Sequence, residues 1–221
     1  MFKRSLKLAA CLAPLAFAAG CATKPAAPYD YTAFKAAKPR SIVVLPPLNN
    51  SPDVNASYSV YSHVTYPLAE AGYYVLPVAL VDETFKQNGL ANAVDIHNVP
   101  LNKLKDIFGA DAALYVTVTK YGATYTLFNS VVVVAANAKL VDLKTGAVMW
   151  SGEASASDEG GNNNSGGGLI GALVSAAVKQ IVNNVTDAAY PVAAIATGRL
   201  LSSGQNNGLL YGPRSLAYSN R

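Results

Sequence analysis

The sequence predicts an α/β domain built on one mixed sheet. Its elements run β-α-β-α-α, then an antiparallel β meander, then a C-terminal helix. Three observations predict it. Residues 41–45 form a continuous apolar run of strand residues closed by Pro46 and Pro47, the pattern of a central strand covered on both faces. Between residues 51 and 108, apolar positions recur at helical spacing between Gly and Pro punctuation. From Ala113 the period changes to two, and the last two strands of the meander are joined by residues 142–146, a hairpin connection in which Gly146 is free to take positive φ.

Residues 1–20 stand outside this fold. Lys3, Arg4 and Lys7 precede an apolar run from Leu8 to Ala19, which ends on the small residues Ala18, Ala19 and Gly20. That is the layout of a bacterial secretory signal, and the run is too short to span a bilayer as a stable helix. The chain carries 17 basic and 13 acidic residues. Removing the signal takes away three basic residues and no acidic one, so 17 less 3 leaves 14 against 13 and the net charge falls from +4 to +1. The basic balance therefore belongs to the export signal and gives no reason to expect a nucleic-acid partner. Cys11 leaves with the signal, so Cys21 is the one cysteine of a mature chain of 201 residues (221 less 20) and has no disulfide partner within it.

The stretch Ala18-Ala19-Gly20-Cys21 resembles the lipobox of bacterial lipoproteins, although Ala18 stands where that pattern usually has Leu. The resemblance implies that the Cys21 thiol accepts diacylglycerol and joins the protein to a membrane. Ala22, in place of Asp, implies sorting to the outer membrane. Several acyl chains, at about 0.8 kcal/mol per buried methylene, anchor far more firmly than one. Residues 21–39, with Pro25, Pro28 and Pro39 and no periodicity, read as a lipidated N-terminus and flexible tether.

The single domain spans 40–200. After the first strand, Ser51 suits an N-cap and Pro52 the first helical position of a helix running to about Ala71, with Gly72 at its end. Residues 73–79 read as a second strand ended by Pro77. Two short helices follow, Val81 to Asn88 closed by Gly89, and Leu101 to Phe108 closed by Gly109, the latter with Leu101, Leu104, Ile107 and Phe108 on one face. Strands are expected at 113–121, 130–141 and 147–156. Residues 158–168 hold no apolar residue and read as a flexible Gly/Asn loop, and 169 to about 189 as a buried or interface helix. The tail, 201–221, can dock through Leu209, Leu210 and Tyr211.

The chemistry-bearing residues are sparse. His63 and His97 are the only histidines and lack the company that zinc requires, so each reads as a surface or core-edge residue. No G-x-S-x-G turn announces a nucleophile, and the Gly-rich loop lacks the Lys-Ser/Thr of a phosphate cradle. No cofactor motif is present, and a non-enzymatic protein is expected. The loop 49–55, with Asn49, Asn50, Ser51 and Asp53, leaves the carboxyl end of a strand and enters a helix. It reads either as a Ser-Pro cap or as a site for a small anionic ligand. Tyr115, Thr117, Thr119, Tyr121 and Tyr125 form one amphipathic strand face, either covered by the domain's own helices or presented to a protein partner.

The stretches NNSPDVNASYSV, PLAEAGYYVLPVALVDETFKQNGL, DIHNVPLNKLKDIFGADAALYVTVTKYG and LVDLKTGAVMWSGEASAS resemble a family of Gram-negative lipoproteins typified by a meningococcal surface antigen, over about residues 40–190. The resemblance implies a fold similar to the N-terminal domain of TolB and to ABC-transport auxiliary lipoproteins. It also implies a homodimer and the company of a CsgG-like lipoprotein or transporter component. It carries over no catalytic residue, and only the lipidated cysteine transfers, onto Cys21. The expected function is that of a lipid-anchored outer-membrane accessory or adaptor facing the periplasm in a secretion or transport assembly.

Overall fold

The computed structural model describes residues 28–125, 130–158 and 187–220. In chain order the elements are α1 (Thr32–Ala37), β1 (Ser41–Val44), β2 (Leu48–Asn49), α2 (Ala56–His63), α3 (Thr65–Glu70), β3 (Tyr74–Val75), α4 (Val78–Gln87), α5 (Ala93–His97), α6 (Leu101–Phe108), β4 (Ala112–Tyr125), β5 (Ser130–Asp142), β6 (Val148–Ser157) and α7 (Ala189–Leu201), with a 3-10 turn at Leu216–Asn220. The sheet is mixed, in the order β3-β1-β4-β5-β6 with β2 added beside β4. β1 pairs in parallel with β3 and β4, and β4, β5 and β6 form the antiparallel meander. The β5–β6 connection is the expected one, with Gly146 at φ +77°.

Alternation along the strands sends side chains to two separate cores. On one face Ile42, Val44, Leu114, Val116, Val118, Val134, Leu140 and Trp150 pack with Phe34 of α1, Val60 of α2, Leu68 of α3 and Val192, Ala196 and Leu200 of α7. On the other, Val43, Leu45, Ala113, Tyr115 and Val141 meet Val81 and Phe85 of α4, Ile96 of α5 and Leu104 of α6. Full burial of a Leu or Val side chain stabilises by roughly 1.5–3 kcal/mol, so both cores hold their layers firmly. The second core ends short of β6. Beyond Tyr115 that face carries Asn137, Lys139, Ser151 and Glu153, all exposed.

Several elements differ from the sequence reading. Part of the tether is folded: α1 lies within it, with Asp30 accepting from the Thr32 N–H and hydroxyl at 2.9 and 2.6 Å and Phe34 4% exposed. Six helical residues are too few to display a period, and one buried aromatic side chain is enough to hold them. Ser51 does not cap the first helix. Its hydroxyl donates to Asn49 Oδ1 at 2.7 Å, and the helix starts at Ala56. The expected long helix is two short ones, α2 and α3, because Pro67 has no N–H to give and its ring crowds the carbonyl four residues back. The second strand shrinks to Tyr74–Val75 because Pro77 already stands at the N-cap of α4.

α5 was not expected. The Asn92 side chain accepts from the Val94 N–H at 2.9 Å to start it. In α6 the predicted bounds hold, but Ile107 is 51% exposed. At 3.6 residues per turn it sits about 90° from the seam made by Leu101, Leu104 and Phe108. Of the helix expected at 169–189, all but the last residues lie outside the described ones, as does the loop beyond residue 158. Ala189 instead opens α7. The tail docks: Leu209 is buried, Tyr73 donates to the Leu210 carbonyl at 2.5 Å, and the Trp150 indole donates to the Asn207 carbonyl at 3.1 Å.

Candidate functional site

Where the second core stops, the sheet forms the floor of a shallow groove of about 600 Å³ bounded by Leu48, His97, Tyr115, Thr117, Lys139 and Glu153. Register decides which side chains meet. Tyr115 lies opposite Lys139 and Thr117 opposite Asn137 on β5, and Asn137 and Lys139 lie opposite Glu153 and Ser151 on β6. α5 brings His97 down onto the floor, its ring edge-on to Tyr115 at 5.2 Å between centroids. His97 Nε2 lies 2.9 Å from the Pro46 carbonyl oxygen, so in the neutral ring this nitrogen carries the hydrogen and donates it. Burial holds His97 below the usual histidine range, and the nearby Lys139 charge acts in the same direction.

The Lys139 ammonium lies over the Tyr115 ring at 4.9 Å from its centroid, and it is in no ion pair with a described carboxylate. Burial pushes the Tyr115 phenol up. The groove therefore offers a free cation, a neutral imidazole, a phenol and the Glu153 carboxylate on rigid strands. This set suits recognition of a polar partner surface. His97 is tied to a backbone carbonyl and not to a nucleophile.

The predicted tyrosine face is divided by a bulge. The β4–β5 register slips between Val118 and Lys120, leaving Thr119 as the extra residue with its hydroxyl donating to the Ala135 carbonyl at 3.1 Å. One added residue inverts every side chain after it. Tyr115 and Thr117 keep to the groove face, whereas Tyr121 turns into the first core and is 5% exposed. Its hydroxyl lies 2.9 Å from both Ser59 Oγ and Asp187 Oδ2, and burial pushes its pKa up to about 12. Tyr121 is thus a bolt between α2, β4 and the start of α7, not part of an interface with Tyr115. For Tyr125 only the backbone lies within the described residues, paired with Ser130.

The loop 49–55 borders the groove through Leu48 but turns its polar groups on itself. Asn49 Oδ1 accepts from the Ser51 N–H at 2.9 Å, Asn49 Nδ2 donates to the Asp53 carbonyl at 2.7 Å, and Asp53 Oδ1 accepts from the Asn55 N–H at 2.8 Å. The Asn50 N–H donates to the Val118 carbonyl, which adds β2 to the sheet. Cys21 and Ala22 lie outside the described residues. Among the described residues no three His, Cys, Asp or Glu side chains are grouped to hold a metal. His63, half-buried beside Tyr190 at 4.5 Å between rings, has no hydrogen-bond partner on its buried Nε2 among the described residues.

Sequence reasoning missed Asn137, Lys139 and Glu153, and left His97 as an isolated residue. A signal for Lys139 was present: it is a charged residue in the middle of the apolar strand 130–141, directly in step with exposed Asn137. Nothing local could bring His97 to it.

A model of the family described as "Putative lipoprotein GNA1162-like" matches residues 29–214. The chain is similar to "Putative lipoprotein NMB1124/NMB1162" of Neisseria meningitidis serogroup B, strain ATCC BAA-335 / MC58, at 54% identity over 203 residues, which are 92% of this chain and 94% of that protein. It is also similar to the crystal structure of lipoprotein GNA1162 from Neisseria meningitidis, at 55% identity and a TM-score of 0.54, covering 66% of this chain and 100% of that one. The PelC dodecamer from Paraburkholderia phytofirmans lies much further off, at 16% identity and a TM-score of 0.42 over 75% of this chain and 88% of that one, and it carries nothing about function here.

Proposed function

The chain belongs to the GNA1162-like lipoprotein family, and from that premise we propose that it is a non-enzymatic adaptor, held by acyl chains on Cys21 in the outer membrane and facing the periplasm. In this reading it is an accessory component of an envelope secretion or transport assembly, with a TolB N-terminal-domain-like fold. It meets a second copy of itself and a CsgG-like lipoprotein or transporter component. The observation that carries the reading is the unequal cover of the sheet. One face is closed by four helices of the chain, and the other is left open over Thr117, Asn137, Lys139 and Glu153. An open face of tyrosine and polar residues on rigid strands supplies contact area with hydrogen-bonding tips, as partner surfaces do. His97, bound to a carbonyl, favours a binding role over catalysis.

Crosslinking in intact membranes followed by mass spectrometry tests the reading. Capture of an envelope protein with crosslinks at Lys139, lost in Lys139→Glu, is the expected result. Recovery of the chain with nothing but itself overturns the adaptor role. Cys21→Ser should leave a precursor that takes up no labelled palmitate and no longer fractionates with membranes; continued labelling overturns the anchor.

A further inference from the structure

From Cys21 to Tyr29 is eight residues (29 less 21), a reach of at most about 28 Å at ~3.5 Å per residue. Tyr29 is where the chain joins the folded body. Its N–H donates to Asn207 Oδ1 at 2.9 Å, its ring lies 4.9 Å from that of Tyr31, and the Asn207 carbonyl accepts from the Trp150 indole. Trp150 pairs with Leu140, which pairs with Leu114, so the junction lies at the end of the sheet where β4 and β6 begin. α1 then packs against β6 and delivers the chain to Ser41 at the start of β1. The opposite end is far away: β4 continues for 11 residues (125 less 114), about 36 Å at ~3.3 Å per residue. A chain anchored through Cys21 therefore keeps its α1 end within about 28 Å of the membrane, a limit that does not bind the far end of β4.

The α1 end carries exposed Lys35, Lys38, Arg40, Lys144 and Arg214, none of them in an ion pair with a described carboxylate. Lys144 is in the β5–β6 turn. The Arg214 guanidinium lies 5.2 Å above the Tyr74 ring, and Tyr74 pairs with Ser41. Of the acids of this end, Asp30 and Asp111 are engaged by backbone N–H groups, while Glu70 at the end of α3 and Asp106 in α6 are exposed. Asp111 Oδ2 accepts from the backbone N–H groups of Arg40 and Ser41, and Asp30 from Thr32. Past Val118 the described acids slightly outnumber the bases, with Asp53, Asp158 and Asp187 against Lys120 and Arg199, whose guanidinium donates to the Ser155 carbonyl at 2.9 Å.

We propose that this end is a second membrane contact, in which Lys35, Lys38, Arg40, Lys144 and Arg214 meet the phosphate groups of the phospholipid leaflet that holds Cys21. The proposal rests on the acylated Cys21 put forward above. Each basic side chain near an anionic leaflet shifts partitioning about fivefold, and the effect fades within a Debye length of about 8 Å at physiological salt. The anchor supplies the effective concentration that makes such weak contacts persist.

The test uses the lipidated chain in vesicles of phosphatidylethanolamine and phosphatidylglycerol at 3:1, with a water-soluble amine reagent and mass spectrometry. Lys35, Lys38 and Lys144 should label at least fivefold more slowly than in detergent, with Lys120 unchanged. The protection should be lost in 1 M salt or in phosphatidylcholine vesicles. Equal labelling of the two ends on the anionic vesicles overturns the proposal while leaving the anchor intact. A chain that does not float with the vesicles overturns the anchor reading and this one with it. The double variant Lys35→Glu, Lys38→Glu should still float but lose protection at Lys144; persistent protection there means that the shielding does not come from basic contacts, and the proposal falls.

Discussion

The two faces of the sheet share the same strands and behave differently. The face under α1, α2, α3 and α7 is closed, with Ile42, Val44, Leu114, Val134 and Leu140 fully removed from water. The face under α4, α5 and α6 is closed only over β1, the first part of β4 and Val141 at the end of β5, and then gives way to the groove. A pleated strand offers side chains to both sides regardless of what covers them, so the difference comes from how many helices each side receives. The chain spends its longest described helix, α7, on the closed face. The closed side holds the larger of the two cores, and the open side is the one assigned to the proposed partner.

The largest expected effect tests this division directly. Leu114→Ala removes a fully buried side chain from the closed face and should cost about 2–5 kcal/mol in urea unfolding. Lys139→Ala on the open face should stay within about 0.5 kcal/mol, the usual range of surface changes. Equal losses would mean that the groove is structural.

A smaller and sharper contrast uses two tyrosines six positions apart on β4. Tyr121→Phe deletes a hydroxyl placed against Ser59 and Asp187 and should cost about 1–2 kcal/mol. Tyr115→Phe removes a hydroxyl with no partner among the described residues and should be close to neutral in stability. Its effect should appear instead in crosslinked capture of the proposed partner. If Tyr115→Phe is the more destabilising of the two, the bulge at Thr119 does not divide them as described.

The smallest effect is that of pH, and each face contributes one histidine. Burial lowers the pKa of both His63, on the closed side, and His97, in the groove. A base whose folded pKa is depressed binds fewer protons folded than unfolded, so stability is full above the unfolded pKa of about 6.5 and is lost as pH falls below it. Each histidine can contribute at most about 1.4 kcal/mol per pH unit there. Urea midpoints measured from pH 7.5 to pH 5 should fall, and His63→Gln or His97→Gln should each flatten the slope. A slope unchanged in both variants would place the acid sensitivity in other groups.

Most of the meander was legible in the sequence, because period-two alternation and the Asp142 to Gly146 turn are local properties. So were the bounds of α6, set by Pro100 and Gly109. The groove was not. Its floor needs Tyr115 and Lys139, which are 24 positions apart (139 less 115), to be in register, and its wall needs α5, which starts from a single Asn92 cap. The tyrosine stripe was misread for a reason internal to β-structure. Alternation can be counted along a strand, but the place where one residue is skipped depends on the partner strand.

By itself, then, the sequence determined a mixed α/β fold, the antiparallel meander with its hairpin turn and the bounds of α6, since each is written in short-range spacing. The tertiary structure decided which face is open, which tyrosine is buried, and how the N-terminal segment folds back onto the Trp150 end of the sheet. These depend on pairing between distant residues, where a one-residue slip or a single buried Phe34 outweighs any local preference.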